Sequence, residues 1–257
     1  MDIFQALILG IVEGITEFLP ISSTGHMILA SHMMKLAQSE FIKSFEIIIQ
    51  LGAILAVVVL YFRTLIINLE VAKRVIVAFI PTAVIGFALY KFIKNYLLGS
   101  ADVVLWALFI GGILLIVFEM LHKEKKDAKD DLAAISYKES LIIGVFQSLA
   151  VIPGVSRAAA TIVGGLTVGL KRKTIVEFSF LLAVPTMLAA TALDLMKSAP
   201  SFTPDEFIVL GVGFVVSFIV AILAIKLLLN YIKHNTFIPF GIYRIVLAAL
   251  YWYYFQK

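Results

Sequence analysis

The chain has 257 residues, 61% hydrophobic and 15% charged, with a mean hydropathy of +1.04, whereas a soluble globular chain carries roughly 45–50% apolar and about 25% charged residues. The excess recurs in continuous blocks of about 20 residues, the length a helix needs to cross a bilayer. That excludes a water-soluble enzyme, a disordered chain and a nucleic-acid-binding domain. An outer-membrane barrel is excluded too, because the apolar runs do not alternate with period two.

The net charge of +4 comes from basic residues lying between the apolar blocks and is read as membrane orientation. The absence of cysteine excludes disulfides and thiolate metal sites. The N-terminus, MDIFQALILGIVEGITEF, has no basic n-region and no small-residue cleavage site, so it is expected to remain in the mature protein.

In chain order, Ile3–Phe18 is apolar but carries Glu13, Thr16 and Glu17, and Pro20 stops the helix. Thr24–Met34 follows, about 16 Å of helix and roughly half a bilayer core. Three spanning helices come next: Phe45–Phe62, Val75–Ile93 and Val103–Leu121. The segment His122–Lys138 is charged with both signs and reads as a solvated linker. Glu139–Ile152 then runs into Pro153-Gly154, and Arg157–Leu170 gives about 21 Å of helix. Ile175–Met196, Phe207–Leu229 and Ile238–Phe255 complete six spans, the last holding Arg244, which needs a partner or a snorkelling route.

Each broken segment reads as a re-entrant helical hairpin, since irregular backbone at membrane depth is tolerated only where protein or a water-filled cavity surrounds it. The two hairpins also resemble each other. ALILGIVEGITEFLPISS lies over SLIIGVFQSLAVIPGVS, with Gly10 over Gly144, Pro20 over Pro153 and Ser23 over Ser156. Phe45–Val58 similarly lies over Phe178–Thr191. The fold class expected is therefore an all-α integral membrane protein with six transmembrane helices and two re-entrant hairpins. Its first repeat is 1–122, with the hairpin at 1–34. A cytoplasmic linker at 123–138 follows, then a second repeat at 139–257, with its hairpin at 139–170. Three crossings per repeat start the second copy from the opposite face, giving an inverted-topology repeat. The charges agree. With this threading one face collects 13 basic residues and the other six, with Arg157 and Arg244 inside membrane segments. The 13-residue face is cytoplasmic, and the first hairpin enters from outside.

Glu13 and Glu17 stand at i, i+4 on one helical face. A carboxylate inside a membrane segment costs a few kcal/mol even on lenient scales (about 3), so two together suggest a hard divalent cation or a general base. Ser22-Ser23-Thr24-Gly25-His26 adds hydroxyls and an imidazole one break later. Pro153-Gly154-Val155-Ser156-Arg157 puts a guanidinium at a helix start, where free N–H groups favour anions. Hairpin tips entering from opposite faces can meet near the midplane, and that set suits phosphoryl chemistry.

EGITEFLPISSTGH (Glu13–His26) with PGVSR (Pro153–Arg157) resembles the two signature motifs of the bacterial undecaprenyl-diphosphate phosphatase, or bacitracin-resistance, family. The likeness runs along essentially the whole chain, including FEIIIQLGAILAVV. The resemblance implies a membrane hydrolase that removes the terminal phosphate of undecaprenyl diphosphate and recycles the cell-wall lipid carrier. It would sit in the bacterial cytoplasmic membrane with its site open to the periplasmic face. Glu17, Ser23, His26 and Arg157 would be catalytic, and either Ser23 or His26 the nucleophile. Ser22, Thr24, Gly154, Ser156, Arg157 and Thr161 would bind substrate, and Glu13 and Glu17 would hold Mg²⁺ or Ca²⁺. The expected partners are the polyprenyl diphosphate, membrane lipid and a second copy of the chain in a homodimer, with no nucleic acid. The sequence departs from the family at Ala158-Ala159, where Ser-Gly is usual. A polyprenyl-phosphate transporter or flippase using the same midplane site is the alternative. The acid-phosphatase-like lipid phosphatases fit poorly, because their later motif needs a histidine and none occurs between Arg157 and His234.

Overall fold

A computed structural model describes residues 1–36, 39–97, 100–125, 127–198 and 203–255. Among these the chain is helical, and its only β element is one isolated bridge between Lys129 and Leu170. The helices are α1 (Ile3–Thr16), α2 (Ser23–Met33), α3 (Glu40–Leu60), α4 (Leu69–Ala88), the single turn α5 (Tyr90–Phe92), α6 (Ala101–Leu121), α7 (Tyr137–Ser148), α8 (Arg157–Thr167), α9 (Arg172–Ser198), α10 (Pro204–Tyr231) and α11 (Ile238–Phe255). The expected spans coincide with α3, α4, α6, α9, α10 and α11, except that Phe45–Phe62 passes the end of α3 and Val75–Ile93 runs beyond α4 across α5. α3, α4, α6 and α10 are long and apolar enough to cross a membrane.

Helix starts are set by local chemistry. Asp2 and Gln5 form a capping box on α1, Ser136 and Glu139 on α7, and Thr203 and Glu206 on α10, where Pro204 occupies the first turn. α4 begins at Leu69, before the expected Val75, because the Asn68 side chain accepts from Val71 N–H at 3.3 Å. Two five-residue π turns, Arg63–Ile67 and Ile93–Leu97, lie at the ends of the expected spans Phe45–Phe62 and Val75–Ile93, where the sequence reading places loops. The charged linker is more than a solvated connection. Lys129 N–H donates to Gly169 O at 3.1 Å, and Lys171 N–H donates to Lys129 O at 2.9 Å. Lys129 also pairs with Glu139, and Lys171 with Asp130.

The packing crosses between the two halves of the chain. α1 lies on α10, and α7 lies on α4; α3 packs against α9 and α10, and α6 against α11. Each first hairpin helix therefore leans on the second long helix of the other half. Lipid tails are as apolar as leucine, so such contacts depend on close approach and van der Waals fit. Glycine supplies the approach. A Cβ at Gly10 would lie 2.9 Å from Gly213 O on α10, and one at Gly144 would lie 2.0 Å from Ala78 O on α4. Around these crossings Phe18, Phe178, Phe180, Val57, Ile175 and Ile225 form the main buried cluster. Ile76, Ile80, Val84 and Phe87 make an exposed apolar stripe along α4, as a lipid-facing helix requires.

Gly144→Ala therefore forces α7 away from α4 and should destabilise the protein by roughly 1–3 kcal/mol. Gly211→Ala, where a Cβ meets nothing within 4 Å, should be neutral or stabilising by up to about 1 kcal/mol. Thermal unfolding in one detergent measures both, and equal shifts would rule out close helix approach as the cause.

Candidate active site

Both hairpins break in the same way. After α1 a turn leads to Ser22, and after α7 a 3₁₀ turn (Leu149–Val151) leads to Ser156. Ser22 and Ser156 have φ of 70° and 73°, uncommon for residues with a Cβ and a form of strain that clusters at functional sites. Each caps the short helix that follows. Ser22 Oγ accepts from Gly25 N–H at 3.4 Å, and Ser156 Oγ accepts from Ala159 N–H at 3.2 Å. By this geometry Ser22 matches Ser156 and Ser23 matches Arg157, one residue away from the pairing that aligned prolines suggest. Gly154, with φ of 93°, makes the second turn.

The tips meet. Arg157 Nη2 pairs with Glu17 Oε1 at 2.9 Å, both side chains being almost fully buried. Ser23 Oγ donates to the other carboxylate oxygen, Glu17 Oε2, at 2.5 Å. The far side of the guanidinium is held by α9, where Arg157 Nη1 donates to Ser179 O at 2.8 Å and reaches Ser179 Oγ at 3.3 Å. Phe18 lies under the cation, 5.8 Å from its ring centre. Arg157 Nε finds no acceptor among the described residues.

A cavity of about 590 Å³ opens over this cluster. Glu17, Ser22, Ser23, Thr24, Ser156 and Arg157 line its polar end, together with Gly154. Phe79, Ala83, Phe87, Val151, Ile152 and Met187 line an apolar flank. The lining thus combines apolar side chains with a few charged and hydroxyl groups, the make-up of a small-molecule cavity.

The remaining candidates lie off the cavity. Thr161 hydrogen-bonds Ser179 Oγ at 2.6 Å and Arg157 O at 2.9 Å, so it braces the arginine from behind. His26 bonds groups other than the Ser23 hydroxyl. Its Nδ1 meets Ser22 O at 2.7 Å and its Nε2 meets the Tyr243 hydroxyl at 2.7 Å. Glu13 is fully buried, and neither carboxylate oxygen has a hydrogen-bond partner among the described residues; Glu17, Glu46 and Arg157 are its charged neighbours. Ala158 and Ala159 are buried in helix packing, a place where small side chains suffice.

Orphaned buried acceptors on Glu13 beside Glu17 fit a hard divalent cation. Among the described residues no three His, Cys, Asp or Glu side chains cluster to hold a metal, so further ligands would be substrate oxygens or water.

Sequence reasoning did not single out Ser179, Gln147, Thr82, Gln50 or Glu46. Gln147 Nε2 donates to Thr82 at 2.9 Å and to Thr186 at 3.1 Å, at the cavity wall. The usable signal was a polar side chain inside an apolar block, as with Glu46 and Gln50 at i, i+4 on α3.

A helical membrane protein with a buried serine–carboxylate–arginine cluster at the mouth of an amphipathic cavity has the make-up of a lipid phosphate hydrolase. The chain belongs to the family of bacitracin resistance protein BacA, whose pattern it matches over residues 6–250. It is 53% identical over 251 residues to the undecaprenyl-diphosphatase of Aquifex aeolicus, covering 98% of each chain. It is also 52% identical over 254 residues to that of Wolinella succinogenes, covering 99% of this chain and 98% of the relative. With the undecaprenyl-diphosphatase of Campylobacter jejuni it shares 48% identity over 254 residues, 98% of this chain and 94% of the relative.

Glu17→Gln leaves Arg157 buried without its counter-charge, and breaking such a pair costs roughly 3–5 kcal/mol. Replacing both partners, as in Glu17→Gln with Arg157→Met, should cost less than the first change alone. Chemical unfolding of the parent, both single variants and the double variant measures this, and simple additivity would mean that the pair does not couple the tips.

Proposed function

We propose that this chain hydrolyses undecaprenyl diphosphate to undecaprenyl phosphate and inorganic phosphate, regenerating the lipid carrier of cell-wall synthesis. One observation carries the reading: Ser23 Oγ sits 2.5 Å from a Glu17 carboxylate that is itself paired with Arg157, at the polar end of an amphipathic cavity. The names of the relatives support it and do not favour the transporter alternative.

The hydrogen bonds support the following chemistry. Glu17 accepts the Ser23 proton as Ser23 Oγ forms a bond to the terminal phosphorus. The bond from that phosphorus to the bridging oxygen breaks, and undecaprenyl phosphate leaves. Water then attacks the phosphoserine, inorganic phosphate departs, and Ser23 recovers its proton. Arg157 and the free N–H groups at the starts of α2 and α8 stabilise charge on the transferring phosphoryl group. Both His26 nitrogens are engaged elsewhere, which favours Ser23 over His26 as nucleophile. Glu13 and Glu17 would hold Mg²⁺ or Ca²⁺, which supplies Lewis-acid neutralisation of phosphate charge when bound.

Purified protein should release phosphate from undecaprenyl diphosphate, and Ser23→Ala should lower kcat by orders of magnitude and abolish any phospho-enzyme. An adduct that survives in Ser23→Ala would remove the serine as nucleophile. Excess chelator should suppress turnover, and Mg²⁺ or Ca²⁺ should restore it. Full turnover in chelator would leave the glutamates without a metal role.

The proposal extends to six spans, two re-entrant hairpins and inverted repeats, in the cytoplasmic membrane with the cavity open to the periplasm. The crossed packing of α1 on α10 and α7 on α4 supports the repeats, and the 13-to-six division of basic residues supports the orientation. A cysteine at Lys125 should resist an impermeant thiol reagent in intact cells, and one at Asp205 should react; both residues are exposed. Ser201, on the same expected outer face, lies outside the described residues. The reverse labelling pattern would invert the topology.

A further inference from the structure

We propose that Tyr243 and Arg244, consecutive residues of α11, are positioning residues that hold the two hairpin tips in register for phosphoryl transfer. The inference rests on the phosphatase reading for its kinetic consequence, but not for its geometry.

Arg244 is completely buried. Its Nη1 donates to Val155 O at 2.9 Å, and its Nη2 donates to Ala107 O at 2.8 Å and Gly154 O at 3.1 Å. Among the described residues no carboxylate pairs with it. A buried guanidinium compensated only by main-chain carbonyls is a costly way to fill space, and an apolar side chain would pack there more cheaply. Its return is geometric, because three charge-assisted bonds from a rigid fork fix three carbonyl directions at once. α6 leaves a notch for the group: a Cβ on Gly111 would lie 2.1 Å from Arg244 Nη2.

The consequence reaches the cavity through one peptide plane. In a trans peptide the C=O and the following N–H point opposite ways. With Val155 O drawn to Arg244, the Ser156 N–H faces the other side of that peptide plane. Ser156 lines the cavity, and Arg157 follows it.

Tyr243 does the equivalent for the first tip. A carbonyl can only accept, so the His26 Nδ1–H donates to Ser22 O and the Tyr243 hydroxyl donates to Nε2, each at 2.7 Å. The two rings stack with centres 5.4 Å apart. α11 is thereby tied through His26 to the carbonyl immediately before Ser23. Neither Tyr243 nor Arg244 lines the cavity, so neither is placed to bind substrate.

The test combines kinetics with a distance. Tyr243→Phe, Arg244→Gln and Arg244→Lys are assayed on undecaprenyl diphosphate in detergent. Spin labels on cysteines at Thr24 and Ile152, one per tip, report the tip-to-tip distance, since the chain has no other cysteine. Misplacement by about 1 Å costs on the order of a hundredfold in rate. Arg244→Gln should lose about that much in kcat, and Tyr243→Phe about tenfold, with KM within about threefold of the parent. Arg244→Lys should recover part of the loss, and the distance distribution should broaden in Tyr243→Phe and Arg244→Gln. Unchanged kcat in both Tyr243→Phe and Arg244→Lys, a loss confined to KM, or an unchanged distance distribution would each overturn the assignment. Those two milder variants decide the matter if Arg244→Gln does not fold. Should the parent release no phosphate, the phosphatase reading falls, and the distance measurement alone decides the clamp.

Discussion

The buried ion pair between Glu17 and Arg157 is the contact on which the rest of the structure depends. Neither charge is tolerable buried alone, and each sits on a pair of helices only 11 to 14 residues long. Pairing them requires the two hairpins to meet tip to tip. Meeting requires a surrounding wall of helices, and that wall must leave a polar cavity for the substrate head. The pair is not an isolated bridge. One carboxylate oxygen serves Arg157 and the other serves Ser23, while Ser179 on α9 takes the opposite face of the guanidinium. The groups that balance the charge are thus the same groups to which the proposed reaction assigns the proton and the phosphate.

Holding the tips at that meeting point is a packing problem that hydrophobicity does not solve in lipid. Small residues let backbones touch: Gly10 against Gly213 O, and Gly144 against Ala78 O. Because α1 rests on α10 and α7 on α4, each hairpin is seated by the half of the chain it does not belong to. Either half alone would lack the helix that seats its own hairpin.

Much of this was legible in the sequence, for reasons that are physical. The long helices announced themselves by length and apolarity, and the breaks by Pro20, Pro153 and Gly154 among charges that lipid would not accept. Glu17, Ser23 and Arg157 stood out because no packing role explains them. Side-chain direction was not legible. His26 shares the motif with Ser23, yet its ring turns to Tyr243, more than 200 residues later in the chain and drawn there only by the tertiary fold. Ser179 was missed because a lone serine inside an apolar helix commonly bonds its own turn, and Gln147 because only packing brings Thr82 and Thr186 to its amide. The π turns were invisible for a simpler reason: Arg63, Lys94 and Asn95 read as span ends, and sequence pattern does not distinguish a few residues of wider helix from a loop.

The one-residue change in how the hairpins correspond carries the chemical asymmetry of the site. With Ser22 matched to Ser156, the same separation sets Gly10 against Gly144, Glu13 against Gln147 and Ser23 against Arg157. The shared features are the ones a backbone needs: a close-packing glycine, a strained serine cap and an 11-residue helix after the break. The differing features are the ones a reaction needs. The first tip offers a hydroxyl beside a carboxylate, and the second offers a cation and an uncharged amide. Two identical tips would have brought like charges together at the centre, where a low dielectric makes repulsion strongest. Opposite chemistry on equivalent backbones lets the tips attract each other, and the attraction leaves a serine and an arginine side by side over the cavity.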